Sequence, residues 1–382
     1  MRLAVATLCS HTLHKGRWWS YEPYVREANR WASIFEELHI VAPVESGPPA
    51  PFSAPYDEHA KIELLPFRHD RGRGVDQART RFWELPKMWA RLLQARRRTD
   101  AMCLRAPSNI ALAGLLLGPL LGSRRLARYT GQWTDYPGEA RSYRLQRKLL
   151  ASRWWGATTF VYGERGEQPS WVVPSFNAIL TEDDLPAKSD ALPTTSPPRI
   201  LFVGRLSRAK NVHVLLRALA EVRAEWALEI LGDGPERDNL ERLCAELDLD
   251  ARVSFRGATP FEDVVESYRE ADALVLASET EGWPKALVEG MSFGLACVAS
   301  DRGLMPDIVG DGRGWLVEPG DIDSLRDALR EIVGGGEPVE GRRLNARTWA
   351  RQYTLDGLER QIVSTLNERW ETRFPEPRRS AA

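Results

Sequence analysis

Cysteine is scarce in this chain: Cys9, Cys103, Cys244 and Cys297 are the only four in 382 residues. They lie far apart and form no C-x-x-C pair or other metal-ligand spacing. That excludes a disulfide framework and a cysteine zinc centre, and it suits a reducing compartment. Long apolar runs are missing as well. The longest, residues 110–122, contains Pro119 and is too short to span a bilayer. The first residues are apolar without a clear cleavage site and read as a first strand rather than a leader. An excess of one charge is also absent. Lys and Arg number 52 against 53 Asp and Glu, a net charge of −1, and no basic segment follows a nucleic-acid-binding motif. A complete dinucleotide fingerprint is lacking too. After an apolar run at 228–231 come Gly232-Asp233-Gly234-Pro235, with Arg237 where a third glycine would fall, which argues against a dehydrogenase.

What is present points to two domains. A hydrophobic content of 43% can supply large cores, and the length fits two domains best. Charge is split along the chain. Residues 1–185 carry 26 Lys and Arg against 19 Asp and Glu, whereas the remainder carries 26 against 34. A basic half and an acidic half suggest different partners, and random drift explains the split equally well. Fourteen tryptophans suit sugar stacking or membrane interfaces, although core packing accounts for most of them more simply.

The first half alternates strand and helix signals. Residues 2–8 read as a strand, Cys9 to Tyr21 as a loop, Glu22 to Leu38 as a helix and residues 39–43 as a second strand, the start of a parallel βαβ unit. Further strands are expected near 62–66, 101–105, 126–131 and 172–176. Helices are expected around 82–98 and 110–121, with a glycine- and arginine-rich loop at 68–81. Residues 141–155 read as a basic, aromatic helix. Such a helix is either a solvated face or a contact for an anionic membrane surface.

The most informative stretch is 278–290. It follows Ala273-Leu274-Val275-Leu276-Ala277, a run that reads as a strand buried on both faces. Pro284 suits a first helical position, so the pattern predicts strand, loop and helix, with free N–H groups at Lys285, Ala286 and Leu287. Such a helix start attracts a phosphate. Glu281 lies in the loop, and Glu289 lies about a turn and a half inside the helix, roughly 7.5 Å along its axis. Two carboxylates can therefore accept hydrogen bonds from hydroxyls on either side of an anion.

The spacing Glu281-x7-Glu289 occurs with an ordered series: Phe202-Val203-Gly204-Arg205-Leu206, Lys210, Leu231-Gly232-Asp233-Gly234-Pro235, Val253 to Gly257, and Gly314 to Asp321. From about Arg199 to Val333 the chain resembles the retaining nucleotide-sugar glycosyltransferases of the GT4 group, which have the GT-B architecture. A lone pair of glutamates eight apart is usually surface charge; the series makes the resemblance specific. It implies an α/β fold of two Rossmann-like, doubly wound domains facing a central cleft. The acceptor domain would span 1–182, a linker 183–198 and the nucleotide-sugar domain 199–340. Helices in 341–382 would cross back to the first domain.

The resemblance also implies roles. Arg205 and Lys210 would hold the donor diphosphate and stabilise it as it leaves. Glu281 would hold the sugar hydroxyls, with the backbone of Gly282 and Trp283 alongside. Glu289 would bind the ribose. Gly204, Gly232 and the backbone of Arg256 and Gly257 would border the nucleotide. The helix start at Lys285, Ala286 and Leu287 would face phosphate. No metal or other cofactor is expected, because two cations and a helix dipole take its place and no Asp-x-Asp sits at a strand end. The partners would be a nucleotide-diphosphate sugar and an acceptor that is lipid-linked, a polysaccharide precursor or a small aglycone. The location would be cytoplasmic, with a peripheral membrane contact left open.

Three departures from the pattern stand out. GT4-like proteins often carry a Gly-Gly pair in the first loop, and here only Gly16 is present, beside Trp18 and Trp19. The histidine common after the strand near 126–131 is absent, leaving Gln132 and Asp135 as polar candidates on the acceptor side. Asn211 replaces a glycine after Lys210 and tolerates the left-handed backbone. These departures keep open a non-catalytic sugar-nucleotide-binding subunit. Two hydrolase readings are weaker. Gly290-Met291-Ser292-Phe293-Gly294 matches a nucleophile elbow but sits at a helix end. A glycosidase built on the two glutamates would leave Arg205 and Lys210 unexplained.

Overall fold

Leu3, Ala4, Val5 and Ala6 are apolar in succession, the pattern of a strand covered on both faces, and they make up most of β1 (Arg2–Ala6). The structure is a computed structural model that describes residues 1–50, 52–67, 76–136, 138–163 and 166–375, without the side chains of 76–84. Residues 68–75 of the expected arginine-rich loop, and the tail beyond 375, lie outside the described residues. The chain divides into two units, Met1–Ile179 with Leu355–Ala382, and Leu180–Thr354. Among the described residues no helix is long and apolar enough to cross a membrane.

In unit 1 the expected loop at 9–21 is a hairpin. β2 (His11–His14) pairs antiparallel with β3 (Arg17–Tyr21), His14 opposite Arg17. Lys15 and Gly16 turn the chain with φ of 48° and 77°, the left-handed pair that matches the twist of the strands. The Thr, Trp and Tyr content of the segment favours strand over loop. α1 (Glu22–Ile34) ends four residues before its expected limit, because Phe35 is already extended and β4 (Glu37–Glu45) begins. Then follow β5 (Ser53–Pro55), β6 (Ile62–Phe67), α2 (Asp76–Arg98), β7 (Ala101–Ala106), α3 (Asn109–Leu117) and β8 (Arg125–Tyr129). α4 (Arg141–Leu150) is shorter than expected, and the chain turns through 151–155 to bury Trp155. β9 (Thr158–Tyr162) and β10 (Val172–Ser175) complete the sheet. Its order is β10-β9-β8-β7-β1-β4-β2-β3-β5, with β6 paired to β4 off that path. The β10-to-β4 portion and β6 are parallel.

Unit 2 alternates strand and helix more regularly. β11 (Arg199–Val203) is followed by α5 (Val212–Ala220), β12 (Ala227–Leu231), α6 (Arg237–Glu246), β13 (Val253–Gly257) and α7 (Phe261–Glu270). The chain then returns to β14 (Ala273–Leu276), α8 (Lys285–Phe293), β15 (Ala296–Ser300), α9 (Met305–Val309), β16 (Trp315–Val317), α10 (Ile322–Gly334) and α11 (Glu337–Ala350). The six strands run parallel in the order β13-β12-β11-β14-β15-β16. The order reverses between β11 and β14, and ligands of open α/β sheets bind at such a switch point, beyond the carboxyl ends of the strands. Residues 183–198 are tied into this unit. The Thr195 amide donates to Asp272 (3.1 Å), and Arg343 donates to the Pro193 carbonyl (2.6 Å).

α12 (Leu355–Trp370) belongs to unit 1. Leu358, Ile362 and Leu366 recur on one buried face. Arg30 of α1 pairs with Asp356 (2.9 Å) and Glu359 (3.2 Å). α11, the other helix expected to return, stays with unit 2.

Candidate functional site

At the switch point of unit 2, two turns are locked together by backbone alone. The Gly204 amide donates to the Leu231 carbonyl (2.9 Å), the Leu206 amide to that of Asp233 (3.0 Å), and the Gly232 amide to that of Gly257 (2.8 Å). A Cβ at Gly232 would lie 1.9 Å from the Gly204 oxygen, so only glycine lets the turns meet. Gly204, Gly232 and Gly257 thus sit side by side at the ends of β11, β12 and β13. Arg205 leaves this platform exposed. Its guanidinium makes no ion pair or hydrogen bond among the described residues.

Lys210 ends a single 3-10 turn, Arg208–Lys210, whose position is set from the neighbouring strand. The Glu279 amide donates to the Ala209 carbonyl (2.8 Å). The Asn211 side chain donates to the Ala277 carbonyl (3.0 Å) and to Glu279 (2.8 Å). Asn211 takes the left-handed backbone expected of it, with φ 54° and ψ 30°. These bonds place the Lys210 ammonium on the Glu281 carboxylate as a hydrogen-bonded ion pair. Both side chains are partly exposed, at 23% and 14%.

α8 begins at Lys285, with Pro284 as its N-cap. Only part of the expected anion site is open. The Lys285 amide turns back to the Trp283 carbonyl (2.9 Å), and the Leu287 amide donates to Pro284 (3.1 Å). The tight turn at Pro284 brings those carbonyls into reach. The amides of Gly282 and Ala286 have no hydrogen-bond partner among the described residues. The Trp283 ring packs 5.2 Å from that of Tyr353, which stands 4.5 Å from Trp349. Trp283 therefore anchors the loop to the end of α11.

Glu289 lies inside α8, 9% exposed, and accepts a hydrogen bond from the Tyr268 hydroxyl of α7 (2.9 Å). Burial, with the Glu289 charge beside it, raises the Tyr268 pKa well above the usual tyrosine range, so the phenol stays a donor. Arg256 Nε lies 3.6 Å from Glu229 of β12, and its side chain is more than half exposed. Ser292 is buried and its hydroxyl donates to the Val288 carbonyl (2.9 Å), the bond of an ordinary helical serine, so the nucleophile-elbow reading fails on geometry.

Unit 1 treats its strand ends differently. Glu27 of α1 is buried, and one carboxylate oxygen meets Arg105 of β7 (2.6 Å), Arg128 of β8 (3.2 Å) and the Trp31 indole (3.1 Å). Burial alone would raise the Glu27 pKa. The two guanidiniums outweigh it and hold the carboxyl down at about 2. His11 is fully buried on β2. Its Nδ1 hydrogen donates to the Cys9 carbonyl (2.9 Å), so Nε2 accepts from the Tyr56 hydroxyl (2.6 Å). Burial lowers its pKa to about 4.

The acceptor-side candidates belong to two segments of unit 1. Gly16 is the exposed hairpin tip, and Trp18 is half-buried on β3. Gln132 donates to the Thr134 hydroxyl (3.0 Å). Asp135 is exposed and bound by Arg147, which Glu139 also holds (2.7 Å). Gly16 and Trp18 lie on the β2–β3 hairpin, and Gln132 and Asp135 lie in the connection after β8. Sequence reasoning missed Tyr268, the cross-loop bonds of Asn211, and the Glu27 cluster. A Glu in an amphipathic helix and Arg in two strands carry no spacing signal, although an Arg inside an apolar run such as residues 126–129 hints at a buried partner.

Comparisons with known proteins bear on this arrangement. The family model described as Glycosyl transferases group 1 matches residues 186–349. Lipopolysaccharide 1,6-galactosyltransferase of Escherichia coli (strain K12) is 29% identical over 214 residues, 54% of this chain and 58% of the relative. D-inositol 3-phosphate glycosyltransferase of Mycolicibacterium smegmatis is 32% identical over 190 residues, 47% of this chain and 42% of the relative. The chain spans about half the length of these curated relatives. Among solved structures, Anabaena Alr3699/HepE in complex with UDP and glucose is similar with a TM-score of 0.71 at 17% identity, covering 96% of this chain and 100% of that one. That likeness is one of fold.

Proposed function

We infer, from the premise that residues 186–349 form a glycosyl transferases group 1 domain in a chain of the GT-B fold, that this protein moves a sugar from a nucleotide sugar to an acceptor with retention at the anomeric carbon. The observation that carries this reading is the meeting of Lys210 and Glu281, 71 residues apart in sequence. Lys210 lies on the same β11–α5 connection that carries Arg205, whose guanidinium makes no ion pair or hydrogen bond among the described residues. Two cations at a switch point suit a diphosphate. Arg205 forks two phosphate oxygens. Lys210, ion-paired with Glu281 before the donor arrives, turns to the charge that develops as the sugar–oxygen bond breaks. The Gly282 and Ala286 amides add fixed dipoles. Glu281 then accepts from sugar hydroxyls, and Glu289, oriented by Tyr268, from the ribose. Gly204, Gly232 and Gly257 let the nucleotide lie against backbone. With these cations in place the transfer uses no metal.

The UDP held by the Anabaena protein supports uridine diphosphate sugars as the first donors to test, and the lipopolysaccharide relative supports a saccharide acceptor. The deciding experiment is a thermal-shift screen against UDP-, GDP-, ADP- and dTDP-sugars with no metal added. One donor should raise the melting temperature in proportion to the logarithm of its concentration over Kd. A cooperative melt that no donor shifts would overturn the reading. With a donor in hand, an inverted anomeric signal in the product NMR spectrum would remove retention.

A further inference from the structure

Glu37, His39 and Glu63 meet on one face of the unit 1 sheet. His39 and Glu63 are register partners on the parallel strands β4 and β6, and Glu37, two residues before His39, points to the same side. Glu63 Oε2 lies 3.3 Å from His39 Nδ1, and Glu37 Oε1 lies 3.5 Å from Nε2. The imidazole is 3% exposed, yet neither ring nitrogen makes a hydrogen bond. Buried polar atoms are normally satisfied, so this ring lacks a partner that its surroundings are arranged to share. Glu63 gives its other oxygen to Arg98 at the end of α2, and Glu37 makes no other ion pair among the described residues.

We propose that Glu37, His39 and Glu63 bind one divalent transition-metal ion, of which Zn²⁺ is the best fit. One ligand atom from each residue lies within 4.8 Å of the others. Ligands about 2.0–2.2 Å from a shared zinc stand roughly 3–4 Å apart, so small rotamer changes close the triangle. One imidazole nitrogen with two carboxylates suits zinc and its neighbours. Mg²⁺ and Ca²⁺ favour fuller oxygen shells. The ring offers one nitrogen to the ion, and Glu63 keeps its other oxygen on Arg98, an outer contact that holds that carboxylate in place. Both glutamates are partly exposed, at 36% and 41%, so an ion can enter and water can complete its shell. The role is structural. Among the described residues β6 has β4 as its one strand neighbour, and the ion clips the two at their amino ends, away from the carboxyl ends where Rossmann-like sheets hold ligands.

The test uses the full chain, stripped with a chelator and titrated with Zn²⁺ by calorimetry, with Co²⁺ as a coloured substitute. The expected result is one equivalent of Zn²⁺, a raised melting temperature, and no response to Mg²⁺. Glu37→Gln and Glu63→Gln should each weaken binding at least ~10-fold. His39→Gln should remove the equivalent and the nitrogen-dependent Co²⁺ absorption. If His39→Gln does not fold, the two glutamate variants, altered at partly exposed side chains, decide the matter. Failure of the native chain to take up zinc, or undiminished binding in the double glutamate variant, overturns the proposal. In that case His39 is an imidazole clasped between two carboxylates.

Discussion

At the ends of β7 and β8 in unit 1, Arg105 and Arg128 are spent on a carboxylate from the same unit. At the end of β11 in unit 2, Arg205 faces nothing that the described residues supply, and Lys210 is held by a pair partly open to water. The elements are alike: parallel strands, a following helix, cations near the carboxyl edge. The difference is burial. A guanidinium enclosed with a carboxylate is costly to separate from it, whereas an exposed cation can exchange partners at little cost. Cation count at a sheet edge therefore does not mark a binding site; the absence of a buried internal partner does.

The sharpest break of this contrast is Glu27→Ala. It leaves two buried guanidiniums without their anion and should destabilise unit 1 by about 3–5 kcal/mol, read from urea unfolding. A loss under about 1 kcal/mol would mean the cluster is not the closed unit described. Next comes Lys210→Ala. Turnover should fall by roughly 10²–10³-fold, the scale of losing one preorganised charge contact, with unfolding nearly unchanged. Native turnover would take Lys210 out of the site.

The third test is pH. His11 has a folded pKa of about 4 against 6.5 in the unfolded chain, so between these values the unfolded state binds more protons. Its contribution is full above pH 6.5 and is lost as pH falls toward 4, about 2 kcal/mol of it between pH 7 and pH 5. Glu27 acts in a lower window, from 4.5 down to about 2, with the same sign. A His11→Gln variant with an unaltered stability profile from pH 7 to 5 would deny the role of the buried ring. Smallest is Asp135→Asn. Its hydrogen bond to Arg147 lowers its pKa, but it is exposed, so the melting temperature should not change measurably. A marked drop in turnover would support it as an acceptor-side group.

Unit 2 was readable from sequence because its signals are local. Apolar strands end in glycine turns, Pro284 stands next to a helix start, and the Glu281–Glu289 spacing lies within one strand-to-helix segment. The pairing of Lys210 with Glu281 follows from β11 and β14 being neighbours, which the resemblance supplied and spacing alone does not. Unit 1 was less legible. The hairpin at 11–21 was read as a loop because its polar and aromatic residues alternate weakly and its turn is Lys15-Gly16 rather than Asn-Gly. β9 went unnoticed because Thr158 and Thr159 lower the apolar content of a strand that is nonetheless buried throughout. The helix-start amides were overcounted because an N-cap proline lets Lys285 and Leu287 find carbonyls behind them.

Unit 1 is assembled from two segments that flank unit 2 in sequence. During synthesis unit 2 is therefore made before α12, and Arg30 of α1 meets Asp356 and Glu359 only after unit 2 has been translated. Unit 1 has its Arg105–Glu27 pair early, but the face of α1 that α12 covers stays open while unit 2 is being made, and apolar surface open in that interval is a route to misassembly.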